Sequence, residues 1–428
     1  MKILTSEKDR FTSDFNDMLK IVILNSFGFF YIGFLVPIIA RVYMGASGLE
    51  ISLLVAFQVL GRTISGAITG IITDKVKSRS KLILIGSLGR AVSYFLIYFA
   101  IFFNSIVFLG IGTFALGYMA GVFWVPFNTL IAEKSNKENR SQAYGKRNSY
   151  NAIGQVIGTL IGFGLSGIFL VTNNSLLIYI SIPIYGIANI FAGIIFDRKV
   201  DESIIFEEID PKKENRDSIE DSKKLKNLNW GLLIGVGFLM FVLLLSSINA
   251  SIAKPFLNIY IIENIEPNII LAMLAYLPAG VIATLFAPKL GEIVDSIHPF
   301  IGIMVTSTLG ALTTWFLINT YNLWIFSLFL LFDMAISISA GLIFQNLLSR
   351  ISRIYRGKAL GIGDFFMFLG NFIGPILGGI TWDLFGQKFP FIISIFVELS
   401  LIPFYALVIY LLLPNLAEKF EAEKEIEP

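Results

Sequence analysis

The sequence contains no cysteine and a single histidine, His298, among 428 residues. Without cysteine there can be no disulfide framework, no thiolate metal site and no cysteine nucleophile. One histidine excludes the His-Glu-x-x-His zinc motif, and neither a Gly-x-Ser-x-Gly nucleophile motif nor a phosphate-binding P-loop is present. We therefore expect a protein that is not an enzyme, with no catalytic residues and no metal site, and we interpret His298 as a surface residue.

Charged residues are also scarce. They make up 15% of the chain, whereas hydrophobic residues reach 55%, and soluble domains have about a quarter of their residues charged. The apolar residues gather in windows of about 20 residues, the length that a helix needs to span a bilayer, and they lack the alternation of barrel strands. The sequence predicts an all-α membrane protein with twelve transmembrane helices: Ile21–Ala40, Ile51–Thr73, Leu82–Phe103, Ile106–Ala132, Asn148–Val171, Ser175–Phe196, Trp230–Ala253, Ile269–Pro288, Pro299–Ile318, Leu323–Leu348, Ala359–Trp382 and Phe389–Leu413.

The positions of lysine and arginine predict the orientation of the chain, because these residues favour cytoplasmic loops. With both termini in the cytoplasm, 28 of the 33 lie in inner segments, and only Arg41, Lys254 and Lys388 lie in outer loops. We expect a multi-pass protein of the plasma membrane with two cytoplasmic termini. The charged tail before Ile21 has no small-residue cleavage pattern, so the first helix is expected to be retained.

A charged segment divides the chain into two halves. Between Asp197 and Asn229 there are 8 basic and 10 acidic residues, a composition typical of a solvated linker. We predict three parts: an N-terminal six-helix bundle over residues 1–196, a cytoplasmic linker over residues 197–229 and a C-terminal six-helix bundle over residues 230–428.

The two predicted bundles repeat each other in sequence. The segment Arg140-Ser-Gln-Ala-Tyr-Gly145 matches Arg356-Gly-Lys-Ala-Leu-Gly361 at a shift of 216 residues. The same shift places three glycines of helix five on three glycines of helix eleven: Gly154, Gly158 and Gly162 on Gly370, Gly374 and Gly378. Two parallel repeats of six helices predict a pseudo-symmetric transporter with a binding site near the midplane, and the glycines predict close helix packing.

The segment between the second and third helices carries a recognisable motif. It reads Gly70-Ile-Ile-Thr-Asp74-Lys75-Val-Lys-Ser-Arg79-Ser-Lys81, and its beginning returns in the second half as Gly291-x-x-x-Asp295. With twelve spans and a matching second half, the sequence resembles the major facilitator superfamily over nearly its whole length. Lys77 replaces the second glycine that this superfamily motif usually has. The sequence is similar to the drug/proton antiporter branch. Exporters of that branch also usually have Gly-Pro in helix five, where this chain has Gly158-Thr159.

The resemblance implies that this motif closes the cytoplasmic side. Asp74 would accept hydrogen bonds from the first amides of helix eleven, and Gly70 would let that helix approach closely. The alternative is that Asp74 and its basic neighbours only lie at the headgroups. The predicted gating set is Gly70, Asp74, Lys75, Arg79, Glu133, Arg140, Gly291, Asp295 and Arg356.

Five ionisable residues fall inside the predicted spans: Arg62, Arg90, Asp333, Asp364 and Glu398. An unpaired charge there costs roughly 3 kcal/mol or more. Asp333, near the midplane, is the first candidate for the coupling proton, because an apolar environment favours the neutral acid. The alternative for Asp333 is a neutral residue that only forms hydrogen bonds between helices. Asp364 is the competing candidate for the coupling proton. Arg62 is expected to have an acidic or substrate partner, and a water-filled cavity is the alternative. Arg90 suits a structural role as well as a functional one, and Glu398 is interpreted as structural or partner-binding.

The substrate cavity is assigned by the resemblance, which implies that helices one, four, seven and ten line it. Packing is the alternative for each aromatic residue among them. The set favours a moderately apolar, weakly charged substrate: Asn25, Tyr31, Tyr118, Trp124, Asn128, Asn249, Gln345 and Asn346.

The sequence therefore predicts a secondary active transporter that works by alternating access and exports small amphipathic or drug-like compounds in exchange for protons. Uptake of a sugar, organic acid or similar nutrient is the alternative, and a lipid scramblase or a receptor on the same scaffold is a further one. The expected partners are a small-molecule substrate and the lipid bilayer, with no nucleic acid. We expect a monomer without a cofactor, with the proton as the coupling ion.

Overall fold

The computed structural model describes residues 11–76, 78–135, 140–169, 175–204, 230–350 and 356–412. Its first half contains α1 (Phe15–Asn25), α2 (Phe29–Ile38), a π-helical turn (Ile39–Tyr43), α3 (Gly48–Lys75), α4 (Arg79–Phe102), α5 (Ile106–Glu133), α6 (Arg140–Phe169), α7 (Ser175–Ile178) and α8 (Ser181–Lys199). Its second half contains α9 (Trp230–Ile252), α10 (Lys254–Asn264), α11 (Ile269–Ser296), α12 (Pro299–Asn319), α13 (Leu323–Arg350), α14 (Arg356–Phe385) and α15 (Phe389–Leu412).

Eleven helical segments of the described chain are long and apolar enough to cross a membrane. The first of them, Phe15–Tyr43, joins α1, α2 and the π-helical turn. The eighth predicted span falls on α11, whose described apolar stretch is Ile269–Gly280. Large apolar side chains such as Trp315 and Phe396 are exposed along these helices, an arrangement that suits lipid and not water. The all-α membrane fold is confirmed.

The seventh span is longer than the sequence predicts. Helix α10 follows α9 directly, with Pro255 in its first turn, and the span continues to Asn264. A proline is tolerated there because the first amides of a helix have no intrahelical acceptor. Lys254 therefore lies within a span, and the expectation that it lies in an outer loop is wrong.

Gly28 interrupts the first span between α1 and α2. Its φ of +79° is left-handed, a conformation that glycine adopts without a steric penalty. The hydroxyl of Tyr94 donates to the carbonyl of Phe27 at 3.1 Å, satisfying a backbone acceptor at the break. Further along, Pro37 lies inside α2 and removes an amide donor, and the π-helical turn follows it.

The chain divides into two compact units. Unit 1 comprises Met1–Ala46 and Leu53–Ile209, and unit 2 comprises Ser47–Ser52 and Asp210–Pro428. The core of unit 1 lies where α1, α4, α5 and α8 meet, and the core of unit 2 lies where α9, α12, α13 and α15 meet. The exact ends of the three predicted parts stay a prediction, since most of the linker lies outside the described residues.

The repeated glycines make the same kind of contact in each unit. In unit 1, a Cβ added at Gly158 of α6 would lie 2.8 Å from the backbone nitrogen of Gly28. In unit 2, a Cβ added at Gly374 of α14 would lie 2.8 Å from the carbonyl oxygen of Ile248 on α9. Real Cβ atoms do not approach so closely, so both positions require glycine for tight helix packing. The packing role predicted for this glycine repeat agrees with the geometry.

Candidate functional site

Arg90, on α4, is a fully buried cation in unit 1, with 1% of its side chain exposed. Its guanidinium donates a hydrogen bond to the side-chain oxygen of Asn25, whose amide nitrogen donates to Ser87 Oγ at 3.1 Å. The rings of Phe29 and Phe123 lie 5.9 and 5.7 Å from the guanidinium carbon, while Arg90 Nε has no hydrogen-bond partner. These neighbours hold the cation in place without neutralising it.

Arg147, on α6, is a second cation in the interior of unit 1. Its guanidinium donates to Asn128 Oδ1 at 2.5 Å and to the side-chain oxygen of Asn148. The rings of Trp124 and Tyr144 each lie 5.5 Å from its guanidinium carbon, close enough for cation–π attraction. Arg147 lies within the fifth span, Gln142–Ile168, although the sequence places it just before that span.

Arg62, on α3, completes a group of three arginines. Helix α3 packs against α5 here, since a Cβ added at Gly61 would lie 3.0 Å from the backbone nitrogen of Tyr118. A Cβ added at Gly121 of α5 would lie 3.1 Å from the carbonyl oxygen of Arg62, and Arg90 and Arg147 contact the rings of Phe123 and Trp124 on the same helix. The three guanidinium groups are therefore near enough for the charge of Arg62 to repel the other two. The Arg62 side chain is exposed and makes no hydrogen bond or ion pair with the described residues. The acidic partner expected for Arg62 is not found there.

Glu398, on α15, forms a polar cluster inside unit 2. Its carboxyl accepts a hydrogen bond from the side-chain amide of Asn249 on α9, and Ser394 Oγ donates to Asn249 Oδ1 at 2.8 Å. A Cβ added at Gly310 of α12 would lie 3.2 Å from Glu398 Oε1, so this helix also borders the carboxyl. Three helices therefore meet at Glu398.

Asp333, on α13, lies beside this cluster. It is half-buried, and its carboxyl is near enough to that of Glu398 and to the hydroxyl of Tyr276 for electrostatic interaction. Asp364, the competing candidate, is exposed on α14. The structure thus brings Asp333 together with Glu398, a residue that the sequence assigns to structure or to partner binding.

Charged residues of unit 1 also form contacts where α4 begins and α5 ends. Arg79 and Glu133, two of the predicted gating residues, form an ion pair. Glu202 caps the first turn of α4, accepting from the amides of Arg79 and Ser80 at 2.8 Å each. The fully buried ammonium of Lys134 contacts Asp14 Oδ2 at 2.7 Å. These contacts connect the ends of α1, α4, α5 and α8.

Comparison with known proteins identifies the family. The family model described as Major Facilitator Superfamily matches residues 19–355. The chain belongs to the major facilitator superfamily. It is therefore a transporter embedded in a membrane, acts on a small-molecule substrate and is not an enzyme.

Solved structures of other major facilitator superfamily transporters share the fold. A bacterial homologue of the human lysosomal transporter Spinster, in an inward-facing and unoccupied conformation, is 14% identical with a TM-score of 0.73, over 94% of this chain and 97% of that one. The nucleoside transporter NupG, solved as a point mutant, is 14% identical with a TM-score of 0.65, over 92% of this chain and 99% of that one. No curated protein matches the sequence.

Residues of the predicted gating motif have open surroundings within their own units. Asp74 and Lys75 are exposed, and a Cβ added at Gly70 would meet no atom within 4 Å. A Cβ added at Gly291 would lie 3.9 Å from Leu342 Cδ1. The gating role of these residues stays a prediction.

The predicted cavity residues differ in their surroundings. Tyr31 is fully buried, and its hydroxyl lies 2.6 Å from Ser166 Oγ, while Asn25 holds Arg90. Tyr118 is half-buried and stacks on Phe114 with ring centroids 6.2 Å apart. Trp124, Asn128 and Asn249 adjoin the ionisable residues described above. Five predicted side chains lie outside the described part of the structure: Arg140, Asp295, Gln345, Asn346 and Arg356.

Three residues with a clear structural role escaped the sequence interpretation: Arg147, Lys134 and Glu202. Arg147 could have been found by extending the fifth window into Gln142–Ile168. Lys134 and Glu202 carry no local signal, because each finds its partner on a distant part of the chain. His298 accepts a hydrogen bond from the amide of Phe300 at 3.3 Å and so caps α12. Among the residues that the structure describes, no group of acidic and histidine side chains could hold a metal ion.

Proposed function

We propose that this transporter exports small amphipathic compounds in exchange for protons, and that Asp333 and Glu398 carry the coupling proton together. The observation behind the proposal is the cluster in unit 2, where the Glu398 carboxyl accepts a hydrogen bond from Asn249 and lies beside Asp333. The sequence makes Asp333 the first candidate and Asp364 its competitor, whereas the electrostatic interaction of Asp333 with Glu398 supports a pair.

Two carboxyl groups near each other inside a membrane span do not ionise independently. A charge in the bilayer interior is unfavourable, and the first charge opposes the second, so the protons leave the pair in two separate steps. No lysine or arginine among the described residues forms an ion pair with either acid. Such a pair can hold one transferable proton and release it when its surroundings become hydrated.

Asn249 links the proton site to the substrate site that the family resemblance implies. Its side-chain oxygen accepts from Ser394 and its nitrogen donates to Glu398, so both ends of the amide are engaged. A substrate that competes for either hydrogen bond would change the environment of the Glu398 carboxyl. This provides a direct physical route for coupling substrate binding to proton release.

Uptake of an organic acid is the second candidate function. The observation that favours it is the group of three arginines in unit 1, which suits an anionic substrate. The direction of substrate movement relative to the protons distinguishes the candidates. Vesicles that contain the protein should accumulate substrate with an acidic outside if uptake is coupled to protons, and with an acidic inside if export exchanges substrate for protons.

The proton assignment is tested in proteoliposomes. A thermal-shift screen of sugars, organic acids and cationic drugs supplies a compound, and proton-driven accumulation and gradient-free counterflow are then measured for Asp333→Asn and Glu398→Gln. We expect both variants to lose accumulation and keep counterflow, because each retains the shape of the side chain without the titration. Asp364→Asn serves as the control and should accumulate normally. Normal accumulation in Glu398→Gln would refute the pair.

A further inference from the structure

Three arginines of unit 1, Arg62, Arg90 and Arg147, lie inside its spans and away from the span ends, and no acidic residue among them balances their charge. The sequence contains no aspartate or glutamate over residues 51–73, 75–132 and 139–196. The ion pairs of the described residues are Lys20–Asp17, Arg79–Glu133 and Lys134–Asp14. None of them includes Arg62, Arg90 or Arg147, so no ion pair within the described part of the chain neutralises the positive charge of this region.

The neighbours of these arginines stabilise cations without removing their charge. Arg90 is fully buried between two aromatic rings, and one of its nitrogens, Nε, has no hydrogen-bond partner. Arg147 rests on two aromatic rings and two asparagine oxygens. Aromatic faces and amide oxygens attract a guanidinium, but uncompensated charge inside a span remains unfavourable. A bound anion would relieve both this penalty and the repulsion among the three groups.

We propose that Arg62, Arg90 and Arg147 form an oxyanion subsite, and that the transported compound carries a carboxylate or phosphate-type group on an apolar or aromatic body. Guanidinium groups suit this chemistry because their planar forks bind carboxylate and phosphate oxygens in pairs. The inference rests on the proposed function only in treating the chain as a transporter of small molecules, and it applies to import and export alike.

The three arginines have different parts in this subsite. Arg90 is held by Asn25 and supplies a fixed positive potential from the interior. Arg62 is exposed and Arg147 is half-buried, so their N–H groups are accessible to a ligand. Trp124 and Tyr144, which flank Arg147, offer aromatic surface to the body of the compound. The subsite therefore selects an amphipathic anion over either a sugar or a cationic drug.

The test compares two probes that differ in charge. 4-Phenylbutyrate and 4-phenylbutanol have the same apolar body, and their binding to the purified protein in phosphatidylcholine nanodiscs is measured by calorimetry, with inorganic phosphate as a third probe. We expect the carboxylate to bind at least about tenfold more tightly than the alcohol. One hydrogen bond to a charged group is enough to raise the affinity by that factor. Arg62→Gln and Arg147→Gln should each abolish most of this preference.

The control is Arg198→Gln, which removes an exposed arginine at the end of α8 and should leave the preference intact. Arg62→Gln is the more informative variant, because Arg62 makes no hydrogen bond within the described structure and its loss should not disturb folding. Equal affinity for the two probes in the wild type, or equal losses in Arg198→Gln and Arg62→Gln, would overturn the proposal.

Two further arms identify the source of the oxyanion and separate the two proposals. In nanodiscs that contain phosphatidylglycerol, weaker phenylbutyrate binding in the wild type, but not in Arg62→Gln, would show that lipid headgroups fill the same subsite. Unchanged binding would assign the subsite to soluble anions. Because binding is measured without a proton gradient, intact selectivity with failed proton-driven accumulation would reject the proton pair alone, and the reverse result would reject the subsite alone.

Discussion

The side-chain amide of Asn249 donates a hydrogen bond to the carboxyl of Glu398 and joins helices α9 and α15 inside unit 2. The two residues are 149 positions apart in the sequence. Because Glu398 is half-buried and borders Gly310 of a third helix, this hydrogen bond contributes to stability as well as to the proposed coupling. The two contributions can be measured separately.

Asn249→Leu should lower the stability of the protein by about 1–3 kcal/mol, because it leaves a partly buried carboxyl oxygen without its donor. The measurement is unfolding in detergent, followed for Asn249→Leu, Glu398→Leu and the double variant. If the hydrogen bond is the main interaction of the pair, the double variant loses less than the sum of the single losses, with a coupling of about 1 kcal/mol. Additive losses would show that the two side chains act independently.

Gly158→Ala should destabilise the protein by about 1–3 kcal/mol, because the added methyl group overlaps the backbone at Gly28 and forces α6 away from α1. Gly374→Ala should do the same between α14 and α9. The matched control is Gly164→Ala on the same helix α6, where an added Cβ meets no atom within 4 Å. That change should be neutral or slightly stabilising, since alanine favours a helix. Similar melting temperatures for Gly158→Ala and Gly164→Ala would contradict the packing argument.

The fold could be predicted from the sequence because lipid leaves few solutions for the backbone. Every amide and carbonyl in a span must be satisfied internally, so an apolar window of sufficient length is a helix. The glycine repeat predicts close packing of α6 and α14, since glycines spaced by four residues form one small face. The structure supplies their partners, α1 and α9. Apolar windows and glycine spacings are local patterns within one helix, so they can be recognised in the sequence.

The site could be predicted less well, because its contacts join distant helices. The sequence predicts a structural or partner-binding role for Glu398, and no local pattern connects it to Asn249 or Asp333. Arg147 lies immediately before the predicted fifth span but inside the observed one, because the polar residues around it lower the hydropathy of that end. Asn25 and Tyr31 have polar groups that could contact a ligand, but both side chains are fully buried in unit 1.

Lys134→Met should destabilise unit 1 by about 3 kcal/mol, because removal of one partner of a buried ion pair leaves an uncompensated charge. Lys134 is fully buried and contacts Asp14 and the carbonyls of Asp201 and Ile204 at 2.7–2.9 Å. Lys20→Met is the matched control, since Lys20 pairs with Asp17 on the exposed surface and such pairs contribute little. Equal shifts in melting temperature for the two variants would show that burial of Lys134 does not matter.

Glu202 should make the stability of unit 1 depend on pH. Burial alone would raise the pKa of this carboxyl, but hydrogen bonds from Ser80, Arg79 and Ser78 outweigh it and hold the pKa below its usual value. A lowered pKa in the folded state means that Glu202 stabilises the fold above its unfolded pKa, near 4.5, and that this contribution disappears as the pH falls through the folded pKa.

Glu202→Gln tests this linkage, because glutamine keeps one acceptor oxygen and cannot titrate. At neutral pH, the wild type should melt at a higher temperature than Glu202→Gln, and this difference in melting temperature is the margin. The wild type is the more stable because the charged carboxylate forms the stronger cap on the first turn of α4. Below pH 4.5, the usual value for this side chain, the margin should shrink as the carboxylate is protonated. Asp197→Asn, a change at an exposed residue of α8, should give a margin near zero. A margin for Glu202→Gln that stays the same down to pH 3 would mean that the cap works through shape alone.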